Sequence, residues 1–159
     1  MGKKEFYTVR GYQLLLQNKK SLSSAMEDYL EMIFRTGKQE GIVRIGRLAE
    51  LLNVKASSAT KMVQKLGELG LVRYERYGFI ELTEDGKNVG EYLLYRHNVI
   101  EGFLKLIGIK ENLLVETELI EHNISPETLK KMKILTDFLD GMQEIKESFE
   151  RFKKEREEE

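Results

Sequence analysis

The sequence predicts a mainly α-helical chain, with three helices and one short hairpin in its front half and helices alone behind. Two observations carry that expectation. Apolar residues recur at i, i+3 or i+4, as in Met26, Leu30, Ile33 and Phe34, and again in Val89, Leu93, Ile100, Phe103, Leu104 and Ile107. Period-two alternation is confined to Leu71-Val72-Arg73-Tyr74-Glu75-Arg76 and Phe79-Ile80-Glu81-Leu82, on either side of Tyr77-Gly78.

Composition narrows the class. A chain of 159 residues, 41% of them apolar, can build the core of one domain, or of one with a small companion. Zero cysteines exclude disulfides, thiolate zinc sites and thiol nucleophiles, so any metal must be held by oxygen and nitrogen. No apolar run approaches the ~20 residues that span a bilayer, and residues 1–10 are charged, without a signal-peptide core. A soluble cytoplasmic protein with no membrane partner is expected. The net charge of −1 conceals a division: residues 1–80 carry 14 Lys/Arg against 8 Asp/Glu, and residues 81–159 carry 12 against 19. A polyanion is the first candidate partner for the basic front, against the plainer reading of solvated faces.

Residues 1–22 form an N-terminal extension, read as a basic arm with a short helix around Leu14-Leu15-Leu16. Residues 23–83 form the next unit. Ser24-Ala25-Met26-Glu27 reads as a capping box that opens a helix closing near Gly37. A second helix runs from Val43 to Val54, with Ala49 small enough for a close crossing, and a third begins at Ser57 and stops at Gly70. Two short helices joined by about four residues match a helix-turn-helix. The outer face of the later one is Ser57, Ser58, Thr60, Lys61, Gln64 and Lys65, whose hydroxyl, amide and ammonium groups suit phosphates and base edges. The two-stranded hairpin that follows is a wing, with Arg73, Arg76 and Tyr77 placed to meet a phosphate backbone. An isolated hairpin with solvated arginines is the plainer alternative, but the order of helix, helix, helix, hairpin favours a winged helix-turn-helix.

Residues 84–142 are read as an all-helical dimerisation and metal-binding domain. Its longest helix starts at Thr83 and closes at Gly108, and its apolar stripe is wider than one small domain needs, a natural seat for dimerisation. Residues 111–122 make another helix, and Ser125-Pro126-Glu127 starts a third with proline at N1. Residues 143–159 are a charged helix or tail carrying Ile145, Phe149 and Phe152.

Glu118, Glu121 and His122 fall at i, i+3 and i+4, on one helical face within reach of a shared ion. The other histidine, His97, lies on the preceding long helix, and Asp28 and Glu31 form a second acidic i, i+3 pair. Each has a plain explanation: a packed histidine, charges near a helix N-terminus, a solvated stripe flanking Val115, Leu119 and Ile120. Spacing alone leaves the metal site and these explanations level. Four carboxylates and two imidazoles without sulfur favour Mn²⁺, Fe²⁺ or Zn²⁺. Six side chains exceed what one ion usually takes, so two adjacent ions per subunit, sharing bridging carboxylates, are expected.

Met26-Glu27-Asp28-Tyr29-Leu30-Glu31, the helix Ser57-Ser58-Ala59-Thr60-Lys61-Met62-Val63-Gln64-Lys65-Leu66, Tyr95-Arg96-His97 and Glu118-Leu119-Ile120-Glu121-His122 together resemble the diphtheria-toxin-repressor family, in its manganese-responsive branch. The similarity covers roughly residues 24–140. It implies a homodimeric winged-helix repressor that needs a divalent corepressor, binds palindromic operator DNA and controls metal-uptake genes. It also implies Asp28, Glu31, His97, Glu118, Glu121 and His122 as the ligands. Iron-responsive relatives tend to carry methionine where Asp28 stands, so the aspartate points to Mn²⁺. The chain lacks the SH3-like C-terminal domain of longer members, and residues 1–22 are not part of the family pattern. Two rivals stand beside this reading. One is a metal-independent winged-helix regulator answering to a small organic ligand. The other is a di-metal carboxylate enzyme, for which the chain supplies neither an obvious nucleophile nor a Gly-rich substrate loop; no catalytic residue and no small organic substrate are expected.

Overall fold

The computed structural model describes residues 10–16 and 22–157, apart from the side chain of Arg76. Its elements are α1 (10–16), α2 (Ser24–Glu40), β1 (Val43–Arg44), α3 (Ile45–Leu51), α4 (Ala56–Glu68), β2 (Val72–Tyr74), a 3₁₀ turn (Arg76–Gly78), β3 (Phe79–Leu82), α5 (Glu84–Ile107), α6 (Leu113–Glu121), α7 (Pro126–Gly141) and α8 (Gln143–Glu157). Two compact units divide the chain, Met1–Tyr95 and Arg96–Glu159, with the division inside α5. Among the described residues no helix is long and apolar enough to cross a membrane.

In the first unit Leu30 and Ile33 of α2, Leu48 of α3, Val63 and Leu66 of α4, and Val89 and Leu93 of α5 are all fully buried. These are the helical-period positions of each element, so the pattern in the sequence is the pattern of burial. The cap of α2 is one residue earlier than expected: the Ser23 hydroxyl accepts from the Met26 amide at 3.3 Å. The helix also runs past Gly37, since a mid-helix glycine costs only ~1 kcal/mol. It ends where Gly41 takes φ +78° and donates back to the Gly37 carbonyl.

Val43 and Arg44, expected at the start of a helix, form a short strand instead. They pair antiparallel with Phe79 and Ile80, so the wing belongs to a three-stranded sheet of order β1-β3-β2 rather than standing as two strands. Burial of Val43 against exposure of Arg44 gives the strand its inner and outer faces. The α3–α4 turn is a Schellman closure built on asparagine. Asn53 adopts φ +52°, its N–H reaches the Glu50 carbonyl, and the Val54 N–H reaches Ala49.

Gly86 sits where α5 touches the strand entry, and a Cβ there would collide with the Leu71 carbonyl oxygen. Beside it, the Thr83 hydroxyl donates to the Gly70 carbonyl at 2.7 Å and accepts from the Gly86 N–H at 3.0 Å, closing the hairpin onto the start of α5. The helical part of the N-terminal extension belongs to this unit: Leu15 is buried, the Tyr12 and Tyr92 rings meet at 5.5 Å, and Gly11 lies against the Asn88 carbonyl.

The second unit comprises the later half of α5 with α6, α7 and α8. Ile100 and Leu104 of α5 and Leu129 and Leu139 of α7 are buried. Gly108 closes α5 at φ +103°, and Ser125 caps α7, accepting from the Thr128 amide with Pro126 behind it. The surplus apolar surface is not on α5, as the sequence suggested. It lies on α6 (Leu114, Val115, Leu119) and α7 (Ile134, Leu135, Phe138), all exposed.

Candidate metal centre and nucleic-acid interface

α6 is turned the opposite way from its apolar pattern. Thr117 and Glu121 are its buried residues, while Val115 and Leu119, expected to face inward, are 52% and 66% exposed. The Thr117 hydroxyl satisfies itself on the Leu113 carbonyl at 2.8 Å. Glu121 has no such local outlet, and a buried carboxylate needs a partner of opposite character. It finds two imidazoles: its Oε2 lies 3.0 Å from His97 Nδ1, and its Oε1 lies 3.9 Å from His122 Nε2. His97 comes from α5 and His122 is the C-cap residue of α6, so a helix end and a helix middle converge on one carboxylate. The pattern Glu121-His122 supplies adjacent residues that point to the same centre only because the helix stops there.

Arg96 completes this group. The residue is 4% exposed, and its Nη2 is 3.4 Å from His122 Nδ1. In the sequence Arg96 was only the neighbour of His97, and nothing but that adjacency could have singled it out. Glu118, one turn before Glu121, is exposed and stands apart from the carboxylate–imidazole contacts. In the first unit Glu31 is 8% exposed and bound by Arg35 Nη2 at 2.5 Å, one helical turn on, and Asp28 occupies the same helix three residues earlier. The candidate donors are carboxylate oxygens in the first unit and carboxylate oxygens with two imidazoles in the second, chemistry that fits a borderline divalent cation. Two imidazoles thus flank one buried carboxylate, at 3.0 and 3.9 Å.

The six polar residues read from the sequence as a DNA-facing surface all lie on α4. Ser57, Ser58, Lys61, Gln64 and Lys65 are exposed on one side, while Ala59, Val63 and Leu66 are buried on the other. Thr60 is half-buried and its hydroxyl back-bonds to the Ala56 carbonyl at 2.9 Å. Lys55, at the N-cap, makes no side-chain capping bond, and its carbonyl accepts from the Ser58 and Ala59 amides at 2.9 and 3.0 Å. Neither Lys61 nor Lys65 forms an ion pair with a described residue. Arg47, by contrast, is committed to Glu40 at 3.0 Å and Glu50 at 3.7 Å, and the hydrogen bond to Glu40 raises its pKa further. On the wing, Arg73 faces Glu81 across the strands at 3.8 Å, an exposed pair of small value that a phosphate can replace. Tyr77 stands at the tip, 92% exposed with φ +69°. The Arg76 side chain lies outside the described residues.

Comparison with known proteins follows the same division. The family model "Iron dependent repressor, N-terminal DNA binding domain" matches residues 21–79, and "Iron dependent repressor, metal binding and dimerisation domain" matches residues 83–149. The HTH-type transcriptional regulator MntR of Geobacillus thermodenitrificans is 41% identical over 115 residues, 72% of this chain and 82% of that protein. MntR of Oceanobacillus iheyensis is 40% identical over 115 residues, 72% of this chain and 78% of its own. Among solved structures, the metal-dependent transcriptional regulator MtsR superposes with a TM-score of 0.65 at 27% identity, and the manganese regulator SloR with 0.63 at 25%. Each superposition covers 71% of this chain, which spans about half the length (54%) of either solved chain.

Proposed function

Since the chain belongs to the iron-dependent repressor family, we propose that it is a Mn²⁺-dependent transcriptional repressor, acting in the cytoplasm as a homodimer on palindromic operator DNA. The observation that carries the metal reading is the buried Glu121 carboxylate flanked by His97 and His122, on a helix whose apolar side faces out to accommodate it. The manganese reading is supported by the MntR relatives and by the hard aspartate, Asp28, in the ligand set. Residues 23–83 would read DNA through α4 and the wing. Residues 84–142 would hold the metal and dimerise, with exposed Leu119 and Phe138 as apolar surface for a second copy. We assign no residue a catalytic role.

The proposed ligands are Asp28, Glu31, His97, Glu118, Glu121 and His122, enough for two ions per subunit, with Fe²⁺ and Zn²⁺ as competitors for the same donors. A bound divalent ion supplies positive charge to carboxylates that otherwise repel one another. The residues do the rest. Glu121 is held by α6, His97 by α5, and Asp28 and Glu31 by α2, the helix packed against the DNA-reading helices. Two α4 helices of a dimer must enter major grooves one turn, or a multiple, apart.

Binding to DNA from upstream of the protein's own gene neighbourhood, followed by fluorescence anisotropy, tests this. Mn²⁺ should tighten the complex by roughly 5–150-fold, the ordinary range of allosteric coupling. Glu121→Ala and His122→Ala should remain folded dimers and lose that gain. Manganese dependence unchanged in both variants rejects the ligand assignment, and no stoichiometric Mn²⁺ uptake by calorimetry rejects the metal reading as a whole.

A further inference from the structure

We propose that Arg44, stacked on the Phe79 ring, is a further phosphate-binding residue, one that grips the DNA backbone beside the wing. This role rests on the reading of α4 and the wing as the DNA-facing surface, and extends that surface to β1.

Arg44 owes its place to the strand. Val43 pairs with Ile80 and Arg44 with Phe79, and side chains alternate between the two faces of a sheet. Val43 and Ile80 are buried, so Arg44 and Phe79 share the outer face. There the guanidinium carbon of Arg44 lies 4.8 Å from the centre of the Phe79 ring. Arg44 is also the N-cap residue of α3, yet its side chain makes no capping bond. The wing tip is close by: a Cβ on Gly78 would come to 3.0 Å from Ile45, the residue after Arg44. Tyr77, 92% exposed, stands next to that glycine.

The partners of the other arginines set Arg44 apart. Arg10 pairs with Asp85, Arg35 with Glu31, Arg47 with Glu40 and Glu50, and Arg73 with Glu81. Among the described arginine side chains of the first unit, Arg44 alone has an aromatic face where the others have a carboxylate. A ring holds the guanidinium plane without neutralising its charge. The N–H fork is left for an outside anion, and phosphate suits it, since two parallel charge-assisted bonds can form. Part of the cost of ordering a long side chain is met before DNA arrives. The plainer alternative is a cross-strand pair that only stabilises the sheet, and salt dependence separates the two.

A duplex of random sequence suffices as the probe, because a phosphate contact carries no sequence information. Binding of the Mn²⁺-loaded protein is followed by anisotropy across a salt series. Arg44→Gln should lower affinity about tenfold, the scale of one hydrogen bond to a charged group. It should also reduce the slope of log affinity against log salt by about one unit. Phe79→Leu keeps the charge and loses the ring, so binding should weaken roughly two- to fivefold with the slope unchanged, while Phe79→Tyr binds as wild type does. A wild-type slope in Arg44→Gln overturns the proposal, and so does wild-type affinity in Phe79→Leu. Should Arg44→Gln fail to fold, Arg44→Lys, charged but without a planar group to stack, should behave as Phe79→Leu does, and wild-type affinity there is again a refutation. Failure of the underlying DNA reading looks different: Lys61→Ala would then keep the wild-type slope as well.

Discussion

At the scale of single residues, Thr83 shows how much one hydroxyl can join. It donates to the Gly70 carbonyl and accepts from the Gly86 amide, linking the end of the wing to the first turn of α5. Thr83→Val keeps the shape and removes both bonds. It should lower stability by about 1–2 kcal/mol, the usual cost of removing a cap or of orphaning a polar partner, seen as a lower midpoint in denaturant. The role of Thr83 was legible, because a threonine ahead of Glu-Asp-Gly reads as a helix start. The place of Arg96 was not, for the His122 imidazole it touches lies 26 residues away. Glu121 was legible as a ligand candidate but not as the buried residue of α6, since Val115 and Leu119 gave that helix a convincing but inverted apolar face.

Among the elements, α4 carries the clearest consequence. One side of it is buried through Ala59, Val63 and Leu66, and the other presents Lys61 and Lys65 without intramolecular ion pairs among the described residues. Lys61→Ala and Lys65→Ala should each weaken operator binding at all sequences. Each should also reduce the slope of log affinity against log salt by about one unit, as expected when one phosphate is no longer neutralised. Slopes equal to wild type in both variants would remove α4 from the DNA interface. Element types and most helix ends were readable because their stop signals are local: Asn53, Gly70 and Gly108 each take positive φ at a helix end. The strand β1 was unreadable because two residues have no period. What makes Val43 and Arg44 a strand is the free edge of β3, which lies more than thirty positions further along the chain.

The whole molecule pairs a basic front with an acidic rear, and the family matches divide at nearly the same place. If the ion and the operator favour the same arrangement, each must strengthen the other equally, by linkage. Operator DNA should therefore tighten Mn²⁺ binding by the same factor by which Mn²⁺ tightens operator binding. Calorimetric Mn²⁺ titrations with and without DNA give one factor, anisotropy gives the other, and a factor of one would exclude coupling between the sites. The fold class and the donor types of the site were legible at this scale, being matters of order and composition. Which apolar faces stay outward was not, because that depends on how α6 and α7 pack and no local pattern records it.

The seat of α1 has a consequence in time. Gly11 rests against the Asn88 carbonyl and Tyr12 against Tyr92, so α1 completes itself on one of the last segments of its unit. At ~5–20 residues per second, a growing chain takes roughly 4–15 s to go from one partner to the other. Throughout that interval Leu14 and Leu15 have their docking surface unmade. The helix α1 therefore waits unpacked while most of its own unit is made.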